Sequence, residues 1–174
     1  MRYVGLLRAV NVGKRKVPMA RLRELCEELG HTEVETLLQS GNVVFTARKA
    51  DPAALEEALT SEFGFEVPVM VRTGAQLQKV IDANPFAEAA EADGKSVHVA
   101  FASGKVKASL LSDVDRERLA PDEFAAGTQE VYLHYPNGSG RSKMTIQVFE
   151  KPLGVHLTSR NWNTVLKLRE LAAR

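Results

Sequence analysis

The first 72 residues alternate between strand-like and helix-like patterns in the order βαββαβ. Short apolar runs predict strands, and apolar residues spaced by three or four positions predict helices. The segments are the strand Arg2–Val10, a helix over 18–29, the strands Val34–Gln39 and Asn42–Thr46, a helix over 51–63 and the strand Phe65–Arg72. This order predicts a ferredoxin-like unit, in which strands one and three are central and strand four lies at an edge.

Proline and glycine mark the ends of these segments. Pro18 is expected at the first position of its helix, and Gly30 is expected to end that helix. Ser40-Gly41 lies between two strand-like runs and predicts a hairpin with a two-residue turn. Pro68 has no amide hydrogen to donate, which favours an edge position for its strand.

The second half repeats this order of elements without a visible sequence repeat. Thr73-x-x-Gln76 predicts a helix that stops at Asn84-Pro85, and the polar segment Ala87–Lys95 is interpreted as the joint between the halves. The following segments are the strand Ser96–Ala102, a short helix Lys105–Leu111, the hairpin Asp122–Ala126 with Gln129–Tyr135, the helix Ser142–Leu153, a short strand Val155–Thr158 and the helix Asn161–Ala172. We therefore expect an α+β protein of two tandem ferredoxin-like subdomains with antiparallel sheets. The first comprises residues 1–86 with a linking helix, and the second comprises residues 95–174 with a C-terminal helix.

Composition limits the classes of protein to consider. The chain of 174 residues can build one large core or two small ones. It has no apolar run of the roughly 18 residues that a membrane span needs, and no signal segment. The single cysteine, Cys26, excludes an internal disulfide, and its place in an apolar stripe predicts a buried structural thiol. We expect a soluble, cytoplasmic protein without a membrane partner.

Charge is distributed unevenly, although the net charge is only +1. Residues 1–23 contain seven Lys or Arg and no acid, and residues 141–174 contain seven Lys or Arg and two acids. The middle of the chain contains nine basic and twenty acidic residues. If the two ends meet in space, they form a positive patch. The alternative is that many of these bases pair with acids of the middle segment.

Polar residues form two candidate clusters. In a βαββαβ unit the loop after strand one and the strand two–three hairpin share one end of the sheet. The first cluster therefore comprises Asn11, Lys14, Arg15, Lys16, Gln39, Ser40 and Asn42, with Arg8 in the adjoining strand. The same rule places the start of helix Ser142–Leu153 beside the end of the last strand. The second cluster therefore comprises Arg141, Ser142, Lys143, Thr158, Arg160, Asn161 and Asn163.

The segment Thr158–Thr164 is expected at a helix start, where unpaired N–H groups and the helix dipole favour an anion. One or two of its polar residues would suffice for helix capping. Gly138-Ser139-Gly140 can form a backbone nest for phosphate, although the spacing is not that of a P-loop. For Arg8 an ion pair is the alternative to a site, and for Lys14, Arg15 and Lys16 the alternative is a solvated loop.

Several motifs resemble an uncharacterised bacterial family catalogued as domain of unknown function 1697 (DUF1697). They are NVGKRKVPMARLRELCEELGH, QSGNVVF, NPF, GRSK and TSRNWNTVLKL, in this order. The resemblance implies a soluble α+β protein of two ferredoxin-like subdomains and no established activity. Family members often have LLRGINVGG where this chain has LLRAVNVGK. Ala9 and Lys14 therefore stand in place of glycines that a phosphate-cradling loop would use.

Three functions are compatible with these patterns. The favoured one is binding of an anionic small molecule, such as a nucleotide-like compound, or of nucleic acid at a basic-polar site between the halves. The second is an enzyme acting on an anionic substrate, for which His31, His98, His134 and His156 show no metal-ligand spacing. The third is a protein-interaction domain whose polar clusters are structural. No metal or cofactor is predicted, and the pattern does not indicate an oligomeric state.

Overall fold

The computed structural model describes residues 1–174 and is an α+β protein with two four-stranded antiparallel sheets. Each sheet and its helices form a ferredoxin-like half, as the order of segments predicts. The chain divides into two compact units, residues 1–78 with 168–174 and residues 79–167.

The first half has the sheet order β2-β3-β1-β4. The predicted central positions of strands one and three, and the edge position of strand four, are therefore confirmed. The elements are β1 (Arg2–Leu7), α1 (Met19–Glu28), β2 (Thr32–Leu37), β3 (Asn42–Thr46), α2 (Pro52–Phe63), β4 (Val69–Thr73) and α3 (Gly74–Asp82).

The second half has the equivalent sheet order β6-β7-β5-β8. A short 3-10 helix, Ala108–Leu111, precedes α5. The other elements are α4 (Ala87–Ala92), β5 (Val97–Ala102), α5 (Arg116–Leu119), β6 (Glu123–Ala126), β7 (Glu130–His134), α6 (Ile146–Leu153), β8 (Leu157–Asn161) and α7 (Trp162–Ala172).

Each half has a hydrophobic core between its sheet and its helices. In the first half Leu22 of α1 and Leu59 of α2 are fully buried in a cluster with Phe45 of β3. In the second half Phe149 of α6 lies in a cluster with Leu133 of β7. Burying a side chain of this size stabilises the fold by about 1.5–3 kcal/mol, so these clusters hold helix and sheet together.

The strand pairing shows that the halves are structural repeats. Arg72 of β4 pairs with Val4 of β1, and Arg160 of β8 pairs with Val99 of β5. Both of these arginines donate a hydrogen bond from Nη1 to the carbonyl oxygen of the preceding residue, at 2.9 Å. In each half a helix starts two residues later. The duplication inferred from element order is therefore visible in the register.

Several predicted boundaries are wrong. β1 ends at Leu7 and not at Val10, because Ala9 and Asn11 both have φ +56°, which is incompatible with an extended strand. Pro18 is the N-cap residue of α1 and not its first helical residue. The hairpin turn contains four residues, Leu38–Gly41, since Leu37 pairs with Asn42.

The second half differs more from its prediction. The joint Ala87–Lys95 contains the helix α4, and the helix α5 was not predicted at all. Helix α6 begins at Ile146 and not at Ser142. The last strand is Leu157–Asn161, because pairing with β5 extends it by three residues beyond the predicted Thr158. The chain from Thr158 to Asn161 is thus a strand and not a helix start.

Candidate functional site

The first polar cluster does form, and Asn11 is at its centre. Its Nδ2 donates to the carbonyl oxygens of Gln39, at 2.6 Å, and Val17, at 2.9 Å. Its Oδ1 accepts from the amide of Val17 at 2.9 Å. The β1–α1 loop and the β2–β3 turn therefore meet as predicted, and the Asn11 side chain connects them.

The β2–β3 turn is held by groups that the sequence suggested for ligand binding. Asn42 is fully buried, and its Nδ2 donates to Leu37 O at 2.7 Å and to Ser40 Oγ at 3.1 Å. Gly41 has φ +89°, and a Cβ there would lie 2.5 Å from Cγ2 of Val10. Only glycine fits both the backbone conformation and the space. Asn11 and Asn42 therefore act as structural clamps.

The basic residues of this loop are used in two different ways. Arg15 donates from Nε to Ala9 O at 2.6 Å, and its guanidinium lies 4.5 Å from the centre of the Phe65 ring. Arg8 follows β1 directly, is partly exposed, and donates its amide to Pro68 O. Lys14 and Lys16 are exposed, and neither has a carboxylate within ion-pair distance. Only the two lysines thus present charge to solvent without a partner.

The second cluster separates into two groups. Leu157 belongs to the core beneath the helices, so alternation along β8 places Thr158 and Arg160 on the opposite face of the sheet. Both are buried, and Arg160 Nη1 donates to Thr158 Oγ1 at 2.7 Å. Burial lowers the pKa of Arg160 to about 10, because removing the guanidinium from water disfavours its charged form.

The two asparagines of this segment mark the beginning of α7. Asn161 Oδ1 accepts from the amide of Thr164 at 3.0 Å, which is a helix N-cap bond. Asn163 is exposed and packs against Gly94, where a Cβ would lie 2.0 Å from its Oδ1. Asn161 therefore has the ordinary capping role, while Thr158 and Arg160 are separated from Arg141 and Lys143 by the sheet.

Arg141, Ser142 and Lys143 line a pocket of about 240 Å³ within the second half. Another wall is the segment 118–122, which runs from the last two residues of α5 to the start of β6. Asn137 and Gly138 complete the lining. This basic pocket, defined by Arg118, Asn137, Arg141 and Lys143, is the candidate functional site. It brings together the predicted residues Arg141, Ser142 and Lys143. It also contains one cation, Arg118, that was not predicted from the sequence.

The loop that carries Arg141 and Lys143 is anchored to the core. Tyr135 Oη donates to Met144 O at 2.7 Å, and burial raises the pKa of Tyr135 to about 12, so the phenol remains a donor. Ser142 Oγ donates to Asp122 Oδ2 and accepts from the amide of Met144 at 2.9 Å. The one carboxylate in the basic pocket is therefore bound to Ser142.

The cations of the basic pocket have no carboxylate partner. Arg118, Arg141 and Lys143 are exposed, and none has a carboxylate within 4.0 Å. Arg116, two residues before Arg118, instead donates to Phe124 O at 3.2 Å and lies 3.9 Å from the Phe124 ring centre. Both arginines lie on a helix too short to show a periodic pattern, so no sequence signal distinguishes one from the other.

No histidine adds catalytic groups to the pocket. His98 is partly buried, and its Nε2 lies 3.2 Å from Lys95 O while its Nδ1 lies 3.3 Å from Ser159 Oγ. A carbonyl oxygen only accepts, so Nε2 carries the proton and Nδ1 accepts from Ser159. Burial lowers the pKa of His98. No group of three or more His, Cys, Asp or Glu residues is placed to hold a metal ion.

The fold and this site define an α+β protein of two ferredoxin-like halves with a basic pocket in the second. The chain belongs to the family described as Protein of unknown function (DUF1697), which matches residues 1–132. The match includes Arg118 and ends before Arg141. None of the helices is long and apolar enough to cross a membrane.

The chain resembles a solved structure over its whole length. It is that of the conserved bacterial protein SP0830 from Streptococcus pneumoniae, with a TM-score of 0.73 and 25% sequence identity. The alignment covers 99% of this chain and 98% of the other. No curated protein matches the chain. The comparisons therefore establish family and fold, and neither description names a ligand.

Proposed function

We propose that this protein binds a small phosphate-bearing or other anionic molecule in the basic pocket. The observation that carries the proposal is the convergence of Arg118, Arg141 and Lys143 on one cavity, none with a carboxylate within ion-pair distance. Like charges held together repel each other, and the repulsion weakens the folded state. A bound anion removes that repulsion and gains three favourable interactions.

The residue types in the pocket suit an oxyanion. A guanidinium donates two parallel hydrogen bonds to phosphate or carboxylate oxygens, whereas a lysine acts as a mobile point charge. Asn137 adds an amide that can donate. Asp122 is the only acid in the lining, and its bond to Ser142 occupies one of its oxygens. The net charge of the pocket wall is therefore positive.

The small volume of the basic pocket, about 240 Å³, favours a small ligand over nucleic acid. A protein that binds single-stranded nucleic acid stacks bases on exposed aromatic rings. Tyr3 and Phe45 lie 5.8 Å apart on the sheet of the first half, but Phe45 is only 1% exposed, beneath the helices. The exposed Lys14 and Lys16 can contact only the phosphate backbone of a nucleic acid. Nucleic acid is therefore the second candidate.

A titration followed by fluorescence or calorimetry tests the proposal. Wild-type protein is expected to bind pyrophosphate at low salt, with an affinity that falls as salt is added. Arg141→Gln is expected to weaken binding roughly tenfold, equivalent to about 1.4 kcal/mol, because it removes one charged donor. Arg48→Gln is the matched control, since Arg48 is also exposed and unpaired but lies in the first half.

Three outcomes would contradict the proposal. One is the absence of any binding at low salt, and another is equal weakening by Arg141→Gln and Arg48→Gln. The third is tight binding of an oligonucleotide that Lys14→Gln abolishes and Arg141→Gln leaves unchanged, which would favour nucleic acid. Melting temperatures of all variants identify any loss that comes from unfolding.

We also propose a cytoplasmic location and a bacterial origin. Cys26 is the only cysteine of the sequence, so no internal disulfide can form, which supports a reducing compartment. The thiol is fully buried, and burial raises its pKa to about 12, so it is inert. The similar structure from Streptococcus pneumoniae supports the bacterial origin. Cell fractionation of a bacterial host of the gene is the direct measurement.

A further inference from the structure

A second pocket adjoins the basic pocket. It has a volume of about 300 Å³ and an apolar floor formed by Leu110, Val114, Val148 and Pro152. It shares Arg118, Leu119 and Lys143 with the basic pocket, so the two are compartments of one cleft. Together they reach the size range of about 300–1,000 Å³ that is usual for sites of small organic ligands.

The cleft is electrically polarised. Asp113 and Asp115 line the apolar compartment, whereas Arg141 lines only the basic one. Asp115 Oδ1 accepts from the amide of Arg118 at 3.1 Å, which fixes this carboxylate as the N-cap of α5. A ligand that fills the cleft therefore meets Arg141 in the basic compartment and Arg118 and Lys143 where the two compartments join. In the apolar compartment it meets apolar side chains and the carboxylates of Asp113 and Asp115.

We propose that the occupant is a nucleotide whose base carries an exocyclic amino group. This inference rests on the proposed function, since the phosphate occupies the basic pocket. The base lies on the apolar side chains, and its amino group donates to Asp113. A carboxylate only accepts hydrogen bonds, so it selects an amino group over a carbonyl oxygen at the same position of the ring.

Other small anions fit the cleft less well. Inorganic phosphate leaves the apolar compartment unused, and a fatty acyl phosphate leaves the carboxylate of Asp113 without a donor. A polyamine would satisfy this carboxylate but would meet Arg118, Arg141 and Lys143 at the other end. Only a molecule with an anionic end and a donor end matches the arrangement of charges.

Two pairs of nucleotides that differ at one ring position provide the test. Cytidine monophosphate has an amino group where uridine monophosphate has a carbonyl, and adenosine and inosine monophosphates differ in the same way. Calorimetric titration of the wild-type protein is expected to give roughly tenfold tighter binding of the amino-bearing member of each pair, because the carbonyl leaves Asp113 unpaired and repelled.

Variants separate the two ends of the ligand. Asp113→Asn supplies both a donor and an acceptor, so it is expected to reduce the cytidine-to-uridine preference to about twofold or less. Arg141→Gln is expected to weaken both nucleotides equally and to leave the preference unchanged. Glu57→Gln, an exposed acid of the first half, is the control for the loss of one negative charge. Asp115 is left intact because it caps α5.

The outcomes distinguish this inference from the proposed function. Equal affinity for the two members of each pair, or a preference that Asp113→Asn does not alter, would overturn the nucleotide assignment. If pyrophosphate still bound and Arg141→Gln still weakened it, anion binding would stand without a base compartment. If neither pyrophosphate nor any nucleotide bound, both proposals would be wrong.

Discussion

The connections between β3 and α2 and between β7 and α6 are equivalent in the two halves, yet only the second lines the basic pocket. The first runs from Ala47 to Asp51, five residues, and the second from Tyr135 to Thr145, eleven residues. Both carry exposed cations: Arg48 and Lys49 in the first half, and Arg141 and Lys143 in the second. Equal charge in equivalent loops thus gives a candidate site only where the loop is long enough to enclose space.

A second connection differs in the same direction. Between α1 and β2 the chain needs only three residues, Leu29–His31, whereas the corresponding part of the second half contains α5 and the segment 120–122. That insertion supplies Arg118 and Asp122, which also line the basic pocket. Two enlarged loops on a repeated scaffold thus create the basic pocket, as is usual where function resides in loops.

The largest difference between the halves should appear at their glycines. Gly41→Ala is expected to destabilise the protein by about 3–4 kcal/mol, because φ is +89° and the new Cβ would lie 2.5 Å from Val10 and 2.9 Å from Leu7. Gly138→Ala, at φ +84° with open space around it, should cost only about 1 kcal/mol. Urea unfolding measures both, and similar losses would contradict the comparison.

The asparagines should show the next largest difference. Asn11→Ala removes three hydrogen bonds and places alanine at φ +56°, so we expect a loss of about 2–3 kcal/mol in the free energy of unfolding. Asn137, in the open pocket loop, makes no such bonds, and Asn137→Ala should change stability by less than about 0.5 kcal/mol. Urea unfolding measures both variants. If the free energy of unfolding of Asn11→Ala equalled that of the wild type, Asn11 would not be a structural clamp.

These contrasts show what the sequence can reveal. Element order was enough for the sheet order, because strand and helix periodicities reflect burial directly. Pro68 did not supply the expected edge-strand signal, since it lies just before β4, which is Val69–Thr73 and not Phe65–Arg72. Asn11 and Arg141 look alike in a sequence, since each is a polar residue in a basic loop. Only the three-dimensional positions of Gln39 O and Val17 O show that Asn11 is already occupied. The role of every predicted site residue in ligand binding stays a prediction.

The misplacement of Thr158–Asn161 has a specific physical cause. The run of Thr, Ser and Asn is typical of a helix start, and Asn161 does cap α7. The ladder to β5 nevertheless continues through Arg160 to Asn161, because His98 and Val99 offer backbone partners that local propensity does not take into account. Arg118 was missed for a different reason, since four-residue α5 has no period that a sequence pattern can detect.

A smaller effect is expected at the lysines of the two equivalent loops. Lys143→Gln should weaken pyrophosphate binding roughly threefold, or about 0.6 kcal/mol, because a flexible exposed lysine contributes less than a guanidinium. Lys49→Gln should leave the affinity unchanged, since the short β3–α2 loop lines no part of the basic pocket. Calorimetry in the same buffer compares them, and an equal response would mean that net charge alone attracts the anion.

The smallest effect should be a change in pH dependence at another pair of equivalent positions. His98 pairs with Asn161 as Tyr3 pairs with Thr73, so His98 and Tyr3 occupy equivalent positions in the two halves. The second half therefore has a titrating imidazole where the first half has a phenol. Burial lowers the pKa of His98 in the folded state, so protonation favours the unfolded chain. The stability that the neutral ring contributes is present above the unfolded pKa of about 6.5 and is lost as the pH falls below it.

Melting temperatures between pH 5 and pH 8 measure this loss. His98→Tyr, which gives the second half the residue of the first, should flatten the decline on the acid side, although it also removes the bonds to Lys95 O and Ser159. His31, whose pKa burial also lowers, contributes a slope of the same sign from the first half. His31→Gln is therefore the matched variant. If His31→Gln flattened the curve of melting temperature against pH and His98→Tyr left it unchanged, His98 would not be the titrating group.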